Sequence, residues 1–368
     1  MKTMFEEFCI THSYWLDDYS QYWALKVENE QASWIDWKIK TVQNTNHLYE
    51  AKVIQFIFHD QWNRLRQYCQ DREVQIIGDM PIYVGYDSSD VYANRTLFEL
   101  NSFGKMIYQG GCPPCEYQSE GQLWSNPLYD WENHEKTNFK WWQQRFKKLL
   151  EMVDTIRLDH FIGYTKYYRI PIGDQTAHNG EWIPAPGDKL FQVLESTITD
   201  LNVIAEDLGD VSDEVIELRN KYNFPGMRVL HFEFGEQVES IKSFPYDSVT
   251  YTGTHDNNTS LGWLNNLDES EIDYISNNLN SNEIDVHWRL IDHALQSGSR
   301  RTIIPIQDVL GLDEESRFNK PGTLSNENWS WRLKDFQLTS ELKLKIRDLT
   351  LQNNRMVKIQ VESLEVEL

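Results

Sequence analysis

Short apolar runs that end in polar or acidic residues recur along the chain, and they predict buried β-strands. They are nearly continuous in apolar character rather than alternating, which is typical of parallel strands covered by helices on both faces. These runs occupy residues 74–84, 155–160, 202–209, 226–234, 248–256 and 301–308.

The segments between these runs carry a helical pattern. In residues 138–153, apolar side chains step by three and four residues, which places them on one face of a helix. Strands that alternate with helices predict a parallel α/β architecture. The chain has neither G-x-G-x-x-G nor G-K-[ST], so a barrel is favoured over a doubly wound nucleotide-binding fold. Its 368 residues show no linker, and we expect a single catalytic domain over residues 1–368 with an insertion at about 85–137.

Composition narrows the classes of partner. The formal net charge of −22 would repel nucleic acid and anionic lipid, and no apolar stretch is long enough to span a membrane. Aromatic residues make up 13% of the chain, which suits carbohydrate stacking, but the filling of a large core explains most of them. With four cysteines and an acidic start in place of a signal peptide, we expect a cytoplasmic protein that binds neither nucleic acid nor membranes.

Four acidic residues stand at the carboxyl ends of predicted strands: Asp79, Asp159, Glu206 and Asp256. Any one of them alone is explained as a loop or cap residue. Because a β/α barrel builds its active site at the carboxyl ends of its strands, the repetition predicts one acidic cluster. Cleavage of an acetal needs one carboxylic acid to protonate the leaving oxygen and a second carboxylate facing the anomeric carbon.

Two of these acidic residues have a neighbour in the sequence that bears on their chemistry. Arg157 and Asp159 lie two residues apart and project to the same side of a strand, where the guanidinium would keep the carboxylate ionised, as a nucleophile requires. A structural salt bridge is the alternative. His255 precedes Asp256, and a neutral imidazole there can donate a hydrogen bond to a sugar hydroxyl.

Metal chemistry is the competing interpretation of the histidines and cysteines. The chain has no H-E-x-x-H, and its other histidines lack ligand spacing. Cys112 and Cys115 have the spacing of a redox or zinc pair, but a second pair is missing from the sequence. We therefore expect no metal and no cofactor.

At this point the sequence resembles a known family. The 4-α-glucanotransferases of glycoside hydrolase family 77, also called amylomaltases or disproportionating enzymes, carry a similar series of motifs in the same order. Here the series is GDMPIYVGYDSSDVYAN, GQLWSNPLYDW, IRLDHFIGYTKYY, VIAEDLG, FPGMRVLHFEF, TGTHDNNT, IIPIQDVLGL and NKPGTLSNENWSWRL.

The resemblance implies a (β/α)8 TIM barrel of the α-amylase clan with insertions, and a retaining mechanism on α-1,4-glucans and maltooligosaccharides. By motif, Asp159 is the implied nucleophile, Glu206 the general acid/base and Asp256 the stabiliser of the transition state. The implied substrate-binding positions are Asp79, Arg157 and His255 around the donor sugar, and Trp124, Phe232 and Asn319 along the glucan groove.

Three departures from the family qualify this expectation. The loop that usually reads P-P-D-Y-F has Cys115, Glu116 and Tyr117 after its prolines, which puts acceptor preference in doubt. The loop before residue 248 is short and lacks the usual P-H-N phrase. The third departure is that the first residue of this chain corresponds to a position well inside the family's usual sequence. We therefore expect a barrel without its first two βα units: a six-stranded parallel arc with the strands near 74–79 and 301–306 at its free edges. A hydrolase of the same clan and an inactive glucan-binding fragment are the alternative functions.

Overall fold

The computed structural model describes residues 2–114, 119–234, 240–279, 286–334 and 338–355. The chain divides into two compact units, Met1–Phe224 and Pro225–Leu368. The strands are β1 (Ile77–Met80), β2 (Tyr108–Cys112), β3 (Gln122–Leu123), β4 (Thr155–Leu158), β5 (Lys166–Pro171), β6 (Glu181–Pro184), β7 (Val203–Ala205), β8 (Gly226–Val229), β9 (Ser248–Tyr251) and β10 (Arg301–Ile303).

Helices separate most of these strands. They are α1 (Lys2–Thr11), α2 (Ser13–Glu28), α3 (Thr45–Gln70), α4 (Ser89–Ala93), α5 (Trp131–Lys136), α6 (Lys140–Met152), α7 (Gly187–Thr197), α8 (Asp213–Lys221), α9 (Leu230–Glu233), α10 (Ser260–Asn265), α11 (Glu269–Asn278), α12 (Val286–Leu295), α13 (Ile306–Val309) and α14 (Ser340–Gln352). Single 3₁₀ turns lie at Trp34–Asp36, Arg95–Leu97, Phe161–Tyr164, Ile241–Ser243 and Glu314–Ser316.

The first unit is organised around a parallel sheet in the order β1-β4-β7. Every residue of β4 is buried, as expected for a central parallel strand covered on both faces. Helix α6 confirms the prediction for 138–153: its apolar face places Trp142 and Phe146 in the core with no exposed surface. Burial of rings of this size stabilises the unit by roughly 2–3 kcal/mol for each side chain.

The second unit has its own parallel sheet in the order β10-β9-β8. Its central strand β9 is again buried at all four positions. The alternation of β8, β9 and β10 with helices continues the pattern of the first unit, and it brings the carboxyl end of β9 next to that of β10.

All six predicted parallel strands are confirmed, although each is shorter than its apolar run. Their hydrogen bonds form two three-stranded sheets, so the expectation of one continuous six-stranded ladder is wrong for the described residues. Strands β1 and β10 each lie at the edge of their sheet, as expected, and Ile77 is 38% exposed there. They are not the two free edges of one sheet, because β7 and β8 are edge strands as well.

The sequence did not predict the antiparallel sheet of the first unit, which has the order β3-β2-β5-β6. Two glycines in β2 allow other groups to approach closely. A Cβ on Gly110 would lie 2.9 Å from the Tyr83 ring, and one on Gly111 would lie 2.1 Å from the carbonyl oxygen of Gln122. Strands β2 and β3 come from the expected insertion, but β5 and β6 come from residues 166–184, beyond it.

Across the described ranges, no helix is both long enough and apolar enough to cross a membrane.

Candidate active site

Arg157 lies between two carboxylates at the carboxyl end of the first parallel sheet. Its Nη1 donates to Asp79 Oδ1 at 2.7 Å and to Asp159 Oδ1 at 3.0 Å. The Arg157 side chain is 9% exposed, whereas the two aspartates remain 35% and 36% exposed. Burial alone would lower the pKa of this guanidinium, but the carboxylates of Asp79, Glu206 and Asp159 outweigh burial and raise the pKa. The cation is therefore permanent and holds both carboxylates in place.

Strand register explains why these side chains meet. Asp79 on β1 is the direct ladder partner of Arg157 on β4. Asp159 follows Arg157 by two residues, so both side chains project to the same side. The Asp159 amide continues the ladder by donating to the carbonyl of Met80 at 3.2 Å.

Glu206 follows β7 directly and is fastened to the segment after β4. Its Oε2 accepts a hydrogen bond from the His160 amide at 2.5 Å. Its own amide donates to the Leu158 carbonyl at 3.0 Å, so backbone and side chain are both held. Burial raises the pKa of Glu206 to about 8; the Arg157 cation opposes this rise, and the Asp159 carboxylate adds to it. Glu206 is consequently protonated at neutral pH and can act as an acid.

Trp124 lies next to this cluster through His160. The Trp124 ring meets the His160 ring edge to face, with centroids 5.0 Å apart, and its Nε1 donates to Gln122 Oε1 at 2.8 Å. His160 has a left-handed backbone with φ 48°, which turns the chain sharply after β4. Burial lowers the pKa of the His160 imidazole. The residue whose amide holds Glu206 therefore carries a neutral imidazole that packs against an indole.

Asp256 lies in the second unit, on the loop between β9 and α10, five residues beyond the strand rather than at its end. Its Oδ1 accepts a hydrogen bond from Asn319 Nδ2 at 2.6 Å, and its Oδ2 lies 3.3 Å from His255 Nε2. The predicted residues His255, Asp256 and Asn319 are therefore together.

Two further residues belong to this group and were missed. Arg317 Nη2 donates to the Asp256 carbonyl at 2.6 Å, and its Nε donates to the Asn319 carbonyl at 2.8 Å. The Trp329 ring lies 5.2 Å from the His255 ring and is 53% exposed. Arg317 precedes the NKPGT stretch and Trp329 follows it. A charged or aromatic residue close to that motif was therefore the sequence feature that could have predicted them.

Phe232 and the loop departures have different outcomes. Phe232 was expected on a strand, but it lies on the single-turn helix α9 and is 62% exposed. Cys112 ends β2, whereas Cys115, Glu116 and Tyr117 lie outside the described residues. Residues 235–239 of the shortened loop lie outside them as well. Within the described residues, no group of three or more His, Cys, Asp and Glu side chains is arranged to hold a metal ion.

Parallel strands whose carboxyl ends carry an arginine-bridged pair of aspartates and a buried glutamate have the arrangement expected of a carbohydrate-active enzyme of the α/β class. Comparison with known proteins agrees. The family described as 4-alpha-glucanotransferase matches residues 1–339, and the chain belongs to this family. Members of this family transfer α-1,4-glucan segments, and the expectation that this chain is a 4-α-glucanotransferase is confirmed.

Individual relatives are similar over nearly the whole chain. The 4-alpha-glucanotransferase of Streptococcus pneumoniae is 41% identical over 94% of this chain, which spans 72% of that protein. That of Clostridium butyricum is 39% identical over 94% of the chain and 74% of its own length.

A solved structure, the amylomaltase from Streptococcus agalactiae in complex with acarbose, matches with a TM-score of 0.90 and 32% identity. The matched region covers 97% of this chain and 75% of the Streptococcus agalactiae chain. The fold class is therefore that of the amylomaltases, a TIM barrel of the α-amylase clan, as expected from the motifs.

Proposed function

We propose that Asp159, Glu206 and Asp256 carry out a retaining transfer between α-1,4-glucans. Asp159 Oδ attacks the anomeric carbon of the donor sugar while Glu206 gives its proton to the departing glycosidic oxygen. The bond from the anomeric carbon to that oxygen breaks, and a glycosyl ester of Asp159 forms. Glu206, now ionised, then takes the proton of an incoming 4-hydroxyl, whose oxygen displaces Asp159 and completes the transfer.

The different surroundings of Asp159 and Glu206 support these roles. Asp159 accepts a hydrogen bond from a buried guanidinium, which stabilises its charged form. Glu206 is raised to a pKa of about 8 mainly by burial, so it holds a proton at neutral pH. The observation that carries the proposal is that Asp159 accepts a hydrogen bond from the buried Arg157, whereas Glu206, after the neighbouring strand, lies in a buried site that raises its pKa.

The remaining sites follow from the motifs and the local contacts. We propose that Asp79, Arg157 and His255 bind the donor sugar, and that Trp124, Phe232 and Asn319 line the glucan groove. In addition, Asn319 holds the Asp256 carboxylate, which we propose stabilises positive charge in the transition state. The acarbose complex of the Streptococcus agalactiae enzyme supports an α-glucan as substrate.

We propose that residues 1–368 act as one catalytic domain in the cytoplasm. The few cysteines fit a reducing compartment.

A double variant tests whether both units serve the same chemical step. If they do, Asp159→Asn combined with Asp256→Asn should lower turnover no more than the more damaging single change does. Multiplicative losses would contradict a shared step.

Incubation of the pure chain with maltotriose, followed by separation of the products, tests the function. Transfer gives glucose together with a ladder of longer chains. Glucose and maltose without longer products would indicate a hydrolase, and no turnover would indicate a glucan-binding fragment. Asp159→Asn serves as the blank, and Glu217→Gln on the exposed face of α8 serves as the matched control.

A further inference from the structure

The loop between β9 and α10 carries His255 and Asp256, and one buried carboxylate holds both of its ends. Thr252, directly after β9, donates its hydroxyl to Asp308 Oδ2 at 2.5 Å. Ser260, the first residue of α10, donates its amide to Asp308 Oδ1 at 2.7 Å and its hydroxyl to Oδ2 at 2.8 Å. Asp308 itself lies on α13, just after β10.

Within the loop, further hydrogen bonds transmit this constraint to Asp256. Asn257 Oδ1 accepts from the amide and the hydroxyl of Thr254, at 2.8 Å each. The Asp256 amide donates to the Thr254 hydroxyl at 3.2 Å. Gly253 passes so close to His231 that a Cβ there would lie 2.8 Å from the imidazole Cε1. The loop is therefore short, tightly packed and tied at both ends.

The three hydrogen bonds to Asp308 matter for stability because the carboxylate is buried. Thr252 and Ser260 have no exposed surface, and Asp308 is 1% exposed. A carboxylate buried this deeply is costly unless its oxygens are hydrogen-bonded, and these donors satisfy most of its acceptor positions. Since all three donors belong to the two ends of the loop, any displacement of the loop leaves Asp308 unsatisfied.

A nucleophilic site is the competing interpretation of this cluster, because Ser260 Oγ also lies 3.3 Å from His231 Nε2. In a catalytic triad the imidazole stands between the hydroxyl and the carboxylate. Here the hydroxyl donates directly to Asp308, and the serine is fully buried, so substrate cannot reach it. The geometry fits positioning rather than nucleophilic chemistry.

We propose that Asp308 is a positioning residue that fixes residues 252–260 so that Asp256 is held ready for the transition state. The inference rests on the proposed role of Asp256 in glucan transfer. It identifies a residue outside the sugar site as a determinant of the rate, because preorganised charge is effective only when its geometry is held.

Asp308→Asn tests the inference, since the amide keeps the shape but removes the charge and one acceptor. In the full chain with maltotriose, we expect kcat to fall about 10- to 100-fold with KM changed less than about threefold. Thr252→Val should give a smaller loss in the same direction. Asp313→Asn is the matched control, because Asp313 contacts Asn265 at the other end of α10 and should leave both constants unchanged.

Hydrogen exchange measured by mass spectrometry gives a second readout that does not need turnover. Asp308→Asn should speed exchange about tenfold in residues 252–260 while β8 and β10 keep their protection. Unchanged exchange in the loop, or loss of protection throughout β8–β10, would overturn the proposal. An unchanged kcat would overturn it too, provided that Asp256→Asn is inactive. If Asp256→Asn stays active, the proposed role of Asp256 is wrong, and the exchange data alone judge whether Asp308 holds the loop.

Discussion

Replacing Glu206 by Gln should change how the stability of the protein depends on pH. The substitution keeps the shape of the side chain and a carbonyl oxygen that can still accept from the His160 amide, but it removes the titrating group. Burial raises the pKa of Glu206 from an ordinary value of 4.5 to about 8 in the folded protein. The folded state therefore binds this proton more tightly than the unfolded state does.

The sign of the effect follows from that difference. A raised carboxyl pKa contributes stability that is fully present below about pH 4.5 and is lost as the pH rises through about 8. At about 1.4 kcal/mol for each pKa unit, the full shift corresponds to a ceiling of about 5 kcal/mol. Because the Glu206 side chain keeps some contact with solvent, we expect about 2–3 kcal/mol of it to be observed.

Urea unfolding at pH 5 and pH 8.5 measures the effect on the whole protein. Hydrogen exchange in β4 and β7 at the same two pH values then measures it next to Glu206. The free energy of unfolding of Glu206→Gln should rise relative to wild type by about 2–3 kcal/mol between the two pH values. Glu217→Gln should run parallel to wild type. The same titration predicts that transfer activity declines above about pH 8, where Glu206 loses its proton. A constant difference between the two proteins across this range would refute the proposed burial effect.

Four other changes have defined outcomes. Asp159→Asn should lower turnover by more than about a thousandfold while the circular dichroism spectrum stays unchanged, because an amide cannot form the glycosyl ester; a milder loss would exclude it as nucleophile. Arg157→Met leaves Asp79 and Asp159 without their shared cation, and urea titration should show a loss of about 2 kcal/mol, reduced from the fully buried case because both carboxylates are partly exposed. Gly187→Ala should cost more than about 2 kcal/mol in the same titration, since its Cβ would lie 2.1 Å from the Tyr164 carbonyl oxygen. Dialysis against a chelator should leave activity unchanged; loss of a stoichiometric metal together with activity would contradict that expectation.

The parallel strands and the first carboxylate group were predictable because they depend on local sequence. A buried parallel strand is read from its apolar run, and its carboxyl end is where barrel enzymes place reactive groups. Asp79, Arg157, Asp159 and Glu206 stand at such ends, and the structure brings them together. Strand register then fixes which of these side chains are neighbours, so little beyond the strand assignment was needed.

Other features depend on contacts between distant segments, and the sequence alone could not predict them. Strand β5 pairs with β2 across more than fifty residues, and the glycines of β2 allow close packing against Tyr83 and Gln122, which lie outside that strand. Arg317 reaches the Asp256 carbonyl from 61 residues away. Asp308 is the last residue of the apolar run 301–308, and only its burial and its bonds to Thr252 and Ser260 show that it holds a distant loop.

The surroundings of an acid, rather than its place at a strand end, decide what it can do. Asp159 shares a guanidinium with Asp79 and keeps partial access to solvent, which favours a charged nucleophile. Glu206 accepts one backbone amide and is buried enough to keep its proton at neutral pH, which favours an acid. Asp308 is buried among three donors and is out of reach of any substrate, so it can act only by holding other groups. Three carboxyl groups that follow parallel strands therefore support three different roles, and their hydrogen-bond partners and exposure distinguish them.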